Sequence, residues 1–343
     1  MTQFVDWELA AVTARSLGRS GPSLSLEEAT AVVHRLRDQA TRSTELVAGF
    51  TGLRTDTPAP VRVVDRPGWA DANVAGLQGL LDPLAHKVSG EAGLLTRLVG
   101  SRLAGAQAGA VLGYLSGKVL GQFEVFGDRA GQLLLVAPNV VEIGRRLDVD
   151  ETDFSMWVCL HEATHAAQFG AVPWLRDHFL SEITAFADAS GDDGGVVEGV
   201  RRAVAAFADS IRGSDKDAGV LDLVTTPRQR LVVDRLTALM TLVEGHADVV
   251  MDEVGSQAVP SVATIRRRFD RRRESGGPLQ QLIRRVLGMD AKYRQYSQGA
   301  AFTRAVLDRV GMDGFNRVWA DPAHLPTMAE ITDPPAWIER VGL

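Results

Sequence analysis

Three residues in the run from Phe154 to Phe169 (FSMWVCLHEATHAAQF), His161, Glu162 and His165, are of the types that hold a metal ion and move protons. On an α-helix, residues four apart lie one above the other. His161 and His165 can therefore turn two imidazole nitrogens toward one ion, while Glu162 sits about 100° round the axis. This H-E-x-x-H spacing points to zinc chemistry: zinc lowers the pKa of bound water to roughly 7, and a carboxylate beside the metal can take the proton as a carbonyl carbon is attacked. Glu162 is the only formal charge in the stretch. Alone in a low-dielectric interior it would be costly, and a bound cation would offset that cost. The competing view is a core helix whose histidines merely find hydrogen-bond partners; it leaves the buried charge uncompensated.

The helix that carries these groups is apolar on nearly every side. Phe154, Trp157, Val158 and Gln168 share the histidine face, and Cys159, Leu160, Ala163, Ala166 and Ala167 fill the others, so the helix is expected to be wrapped all round. Upstream, QFEVF and QLLLVAP flank GDRAG and form two short strands joined by a turn, the second stopped by Pro138. Such a strand can line a cleft and pair with an extended substrate, or be a plain sheet element; the sequence accommodates both. VRVVDRPGW (61–69) gives another short strand, ended by Pro67 and Gly68. Helical periodicity covers 4–18 and 25–53, the second opened by a Ser25–Glu28 capping box. It returns in VPWLRDHFLSEITAFA, in a long helix from Pro227 to near Gly255, and over 279–310. The Gly- and Asp-rich stretch 190–220 is expected to form surface loops, and RRRFDRRR (266–273) a solvated helix face.

Gly105, Gly109, Gly113, Gly117 and Gly121 recur every fourth residue, a small-residue stripe down a helix placed between Leu94 and Gly121. Its uncharged part, Leu103 to Gly117, is 15 residues, whereas a membrane span needs about 20. A packing helix is expected, with no membrane insertion. The 343 residues are 45% hydrophobic and 23% charged, an ordinary globular composition with ample core material. A net charge of −6 argues against a general nucleic-acid-binding surface. The lone Cys159 excludes an intrachain disulfide, and Asp6 and Glu8 do not suit a signal peptide, so a cytoplasmic location is expected.

Seven blocks together carry a family resemblance: VDRPGW (64–69), VLGQFEVF (119–126), VAPNV (136–140), HEATHAAQF followed by PWLR, VEGHADVVMD (243–252), KYRQYSQGAAF (292–302) and LPTMAEITDPPAW (325–337). On these the chain resembles a bacterial family of zincin-like hydrolases, metalloprotease-like, one branch of which is labelled as associated with biosynthesis of a deazaflavin coenzyme. The resemblance implies a predominantly helical α+β fold, with a zincin-like core of small sheet plus H-E-x-x-H helix wrapped in extra helices. The expected division is an N-terminal helical region over 1–120 packed on a metal-binding core over 121–343.

The broader glutamate-liganded zinc peptidases take their third ligand from a downstream E-x-x-x-D helix, a pattern matched here by Glu244 and Asp248. Two neutral imidazoles leave the ion's double charge uncompensated, so a carboxylate is the expected third donor. The expected centre is thus one zinc ion on His161, His165 and Glu244, with Asp248 accepting the free ring N–H of a ligating histidine and Glu162 as general base and acid. Asp252, Glu253 and Glu182 are the fallback ligands. Tyr296, with Tyr293 and His246 behind it, is the candidate to stabilise the oxyanion. The expected activity is hydrolysis of a peptide or other amide bond; the alternative is a non-catalytic, zinc-stabilised helical scaffold.

Overall fold

The computed structural model describes residues 5–87, 94–127, 131–189, 227–274 and 289–343. The expected surface loops at 190–220 lie outside them. Helices α1 (Trp7–Leu17) and α2 (Leu26–Thr51) open the chain. Asp6 caps the first, and the expected Ser25–Glu28 capping box opens the second. Strand β1 (Val61–Val64) leads into α3 (Arg66–Lys87) and α4 (Leu94–Ser116). The β2 (Gly121–Glu124) and β3 (Gln132–Val136) hairpin follows, with α5 (Ala137–Leu147), α6 (Glu151–Ala171) and α7 (Leu175–Asp188) after it. Beyond them come α8 (Pro227–Ala258), α9 (Val262–Glu274), α10 (Met289–Phe315), α11 (Met328–Thr332) and α12 (Pro334–Val341). The fold is mostly helical with one small sheet, the α+β arrangement expected.

The sheet has the order β1–β3–β2, parallel between β1 and β3 and antiparallel between β2 and β3. The continuous apolar run of β3 follows from its central place, where both faces are buried. Leu133 and Leu135 enter a core with α2, α5 and α6, whereas Leu134 and Val136 enter another with Trp7, Ala10 and Trp69. β2 is left as an edge strand.

The glycine stripe does pack, against α1. A Cβ at Gly105, Gly109 or Gly113 would stand 2.3, 2.4 and 2.8 Å from the carbonyl oxygens of Asp6, Ala10 and Ala14. The stripe does not continue on one helix to Gly121. The Lys118 and Val119 amides both donate to the Leu115 carbonyl and close α4, and Gly121 opens β2 instead. A second close approach joins α8 to α10, where a Cβ on Gly299 would lie 2.0 Å from the Thr241 carbonyl oxygen. No helix among the described residues is long and apolar enough to cross a membrane.

Two of the sequence blocks meet in one buried knot. Arg66 of VDRPGW, 3% exposed, donates Nε–H to Asn139 Oδ1 of VAPNV at 2.7 Å, reaches the Arg19 and Ser20 carbonyls, and pairs with Glu142. Asn139 in turn donates to the Ser116 and Val119 carbonyls. This ties the α1–α2 loop, the end of α4 and the start of α5 behind the sheet. The basic segment on α9 is less solvated than its composition suggests. Arg266 pairs with Asp248 and Asp252 on α8, and Arg268 donates to the Leu147 carbonyl at the end of α5.

Candidate metal centre

α6 begins where Asp150 accepts hydrogen bonds from the Thr152 and Asp153 amides, both at 2.9 Å. Its middle is then gripped by α2: Ser43 Oγ–H donates to Met156 Sδ at 3.2 Å, and the Cys159 thiol donates to the Leu36 carbonyl at 3.7 Å. Cys159 thus faces away from the histidines, and burial pushes its thiol pKa up. Held this way, α6 presents His161 and His165 toward α8, which brings Glu244.

The two histidine Nε2 atoms lie 3.2 Å apart, and Glu244 Oε2 lies 3.6 Å from that of His161 and 3.7 Å from that of His165. A triangle with these sides has a circumscribed radius of about 2.0 Å, the length of a zinc–nitrogen or zinc–oxygen bond. One ion can therefore reach all three donors without moving them. Among the described residues this is the grouping of His, Cys, Asp and Glu side chains with the geometry of a metal site. Its side chains are 28%, 12% and 18% exposed, with His161 on the open side. Burial opposes charge on His165, but the Glu244 carboxylate together with Glu162 and Gln168 outweighs it and pushes the ring up to about 9.

Glu162 takes no part in that triangle. It is 6% exposed and lies against β2, where a Cβ on Gly121 would stand 2.5 Å from Glu162 Cγ. Burial pushes Glu162 up to about 7, against the pull of His165 and the Phe123 N–H and with the help of Glu244. The edge strand therefore orients the motif glutamate, a relation that GQFEVF gave no means of reading.

Beside the histidine pair, His165 Nδ1 lies 2.9 Å from Gln168 Oε1. His161 Nδ1 faces Met251 Sδ at 3.2 Å. Asp248, one turn beyond Glu244, pairs with Arg266 at 3.3 Å. His246 points away from the ligand triangle, as its i+2 relation to Glu244 requires, and stacks on Phe315 at 5.1 Å. Of the fallback ligands, Glu182 pairs with Arg235 at 2.8 Å, Asp252 is taken by Arg266 and Arg304, and Glu253 is exposed. Tyr293 and Tyr296 lie on α10 in a segment whose side chains fall outside the described residues. Gln168 was visible in HEATHAAQF as an amide on the histidine face; nothing in the sequence told its partner.

A small sheet, a buried helix bearing two histidines and a glutamate, and a second helix returning a third donor define a zincin-like protein. The chain belongs to the zincin-like metallopeptidase family, whose model matches residues 5–338. It is also similar over nearly its whole length to a solved structure from Chloroflexus aurantiacus described as "a putative hydrolase with a novel fold". The two are 31% identical, with 98% of this chain and 99% of the other covered and a TM-score of 0.70. No curated relative matches the chain.

Proposed function

We propose that this protein is a zinc-dependent hydrolase of peptide or other amide bonds, with the ion held by His161, His165 and Glu244. The observation that carries this reading is the triangle of donors, which fits one zinc ion at bonding distance and leaves Glu162 beside it as a separate carboxylate. When bound, zinc supplies a Lewis acid for the scissile carbonyl and makes a water acidic enough to react near neutrality. Glu162 accepts the proton of the attacking water on its carboxylate and passes it to the nitrogen of the leaving amine. Its place on α6 next to the donors, with its carboxylate against β2, suits both steps. Asp248 supports the site one turn further along α8, and Tyr296 is the proposed donor to the developing oxyanion.

The scaffold alternative is disfavoured by the donor count. A structural zinc is closed by four protein ligands; here the grouping among the described residues supplies three, and the only thiol points into the α2 contact. The family's metallopeptidase name and the hydrolase description of the solved relative support the same choice. The test combines metal analysis of the purified protein with a screen of peptide and amide substrates. We expect about one zinc per chain, retained in Glu162→Gln, while hydrolysis in that variant falls at least about 10²-fold. Loss of zinc in Glu162→Gln would make Glu162 a ligand and reject the assignment.

A further inference from the structure

The side chain of Gln168 is fully buried, one turn after His165, and every polar atom of its amide is engaged. One end lies 2.9 Å from the Val243 carbonyl oxygen and 2.9 Å from His246 Nδ1; the other lies 2.9 Å from His165 Nδ1. A peptide carbonyl can only accept, so the end that faces Val243 must be the NH2 group. The end that faces His165 is then the oxygen, which also can only accept, and His165 must carry its proton on Nδ1. A neutral ring protonated there has its lone pair on Nε2, the atom that stands in the ligand triangle.

The same logic runs outward. The second hydrogen of the Gln168 NH2 goes to His246 Nδ1, so that atom must be bare and His246 must be neutral with its proton on Nε2. His246 is fully buried, stacked on Phe315 and tilted against Trp319 at 5.7 Å, with no hydrogen-bond partner for Nε2 among the described residues.

We infer that Gln168 is a positioning residue of the centre: its amide oxygen holds His165 in the tautomer that presents Nε2 to the metal, and the Val243 carbonyl and His246 hold the amide. A histidine ligand can be turned to either tautomer; here a buried amide with one permitted orientation removes the choice. The inference rests on the metal-centre reading above and adds two residues that do not touch the ion. Outer partners of this kind are worth about 10–100-fold in metal affinity.

The experiment uses the full chain. In 15N-histidine-labelled, zinc-loaded protein, long-range proton–nitrogen correlations should show His165 with hydrogen on Nδ1 and metal on Nε2; the opposite tautomer would overturn the inference without any variant. Zinc affinity is then measured by chelator competition. Gln168→Leu keeps the volume but removes the acceptor, and should weaken zinc about 10–100-fold. Gln168→Glu keeps an acceptor for His165 but sets an oxygen against the Val243 carbonyl. It should lose stability at least as much as the leucine variant while recovering most of the affinity. Equal affinity losses in the two variants, in step with their stability, would make the role merely structural and overturn the proposal. Parental affinity in Gln168→Leu would also overturn it, leaving the metal centre standing, whereas a parent that takes up no zinc would overturn both.

Discussion

Replacing Gly121 by alanine should disable the base while leaving the metal in place. The added Cβ would stand 2.5 Å from Glu162 Cγ, 2.8 Å from Cδ and 2.8 Å from Oε1. An ordinary contact starts near 3.4 Å, so the carboxylate or the strand must yield by about 1 Å. Neither can do so freely: Glu162 is enclosed on α6, and β2 is bound to β3 from Gly121 to Glu124. A misplacement of that size costs roughly 10²-fold in rate, and overpacking costs about 1–3 kcal/mol in stability. We therefore expect Gly121→Ala to keep its zinc, measured by elemental analysis, to unfold at somewhat lower urea, and to fall about 10²-fold in kcat/KM on whatever amide substrate the parent cleaves. Activity within twofold of the parent would show that Glu162 does not depend on the strand. Loss of zinc in parallel with activity would show that the strand supports the ligands as well, and the separation argued here would be wrong.

Three further outcomes test the surrounding structure. Gly109→Ala places a Cβ 2.4 Å from the Ala10 carbonyl oxygen and should lower stability by about 1–3 kcal/mol in urea titration; an unchanged midpoint would contradict the α1–α4 packing. Cys159 is fully buried with its thiol pKa raised, so Ellman's reagent should find no reactive thiol in the native protein and one per chain after denaturation. His246 is held neutral with a pKa pushed down to about 3, whereas in the unfolded chain it titrates near 6.5. Between these values the unfolded state binds a proton that the folded state refuses, so stability falls as the pH drops from about 6.5 toward 3. Metal-free parent should lose about 2 kcal/mol more between pH 7 and pH 5 than His246→Phe does; equal slopes would place a proton on the folded ring.

How far the sequence carried this picture depends on the range of the interaction concerned. Periodicity and capping are local, and they located the three strands and most helices, including the Ser25 box and the packing face of Gly105, Gly109 and Gly113. His161 and His165 are four apart on one helix, so their convergence was legible as well. Glu244 was accessible through the resemblance to glutamate-liganded peptidases and the need for a third, charged donor, although the residues between it and His165 gave no geometry. What could not be read are the contacts made by chain reversal. Gly121 appeared as the last member of a helical stripe because its spacing of four continued, yet the helix had already closed on Leu115. The Arg266 that α9 brings against Asp248, and the Gln168 amide beside His165, were likewise invisible in a spacing of four. Arg66 and Asn139, far apart in sequence, read as two unrelated blocks and meet only through the parallel pairing of β1 with β3.

The same distinction separates the two halves of the centre. The proposed donors to the ion come from α6 and α8, and the proposed control of the His165 tautomer lies with Gln168 and His246, which bridge those same two helices. The proposed base, Glu162, shares α6 with the histidines, but its carboxylate lies against the edge of the sheet at Gly121. Metal affinity should therefore follow helix–helix contacts, and rate should follow the helix–sheet contact. A residue that perturbs only one of these interfaces should move only one of the two observables. Gln168→Leu and Gly121→Ala sit on opposite sides of that division, and combining them tests it. If the interfaces are independent, the double variant shows the zinc affinity of the first and, at saturating zinc, the kcat of the second, with a coupling below about 0.5 kcal/mol. A larger coupling would mean that α6 shifts as one body when either interface is disturbed, and that binding and catalysis share a single structural support.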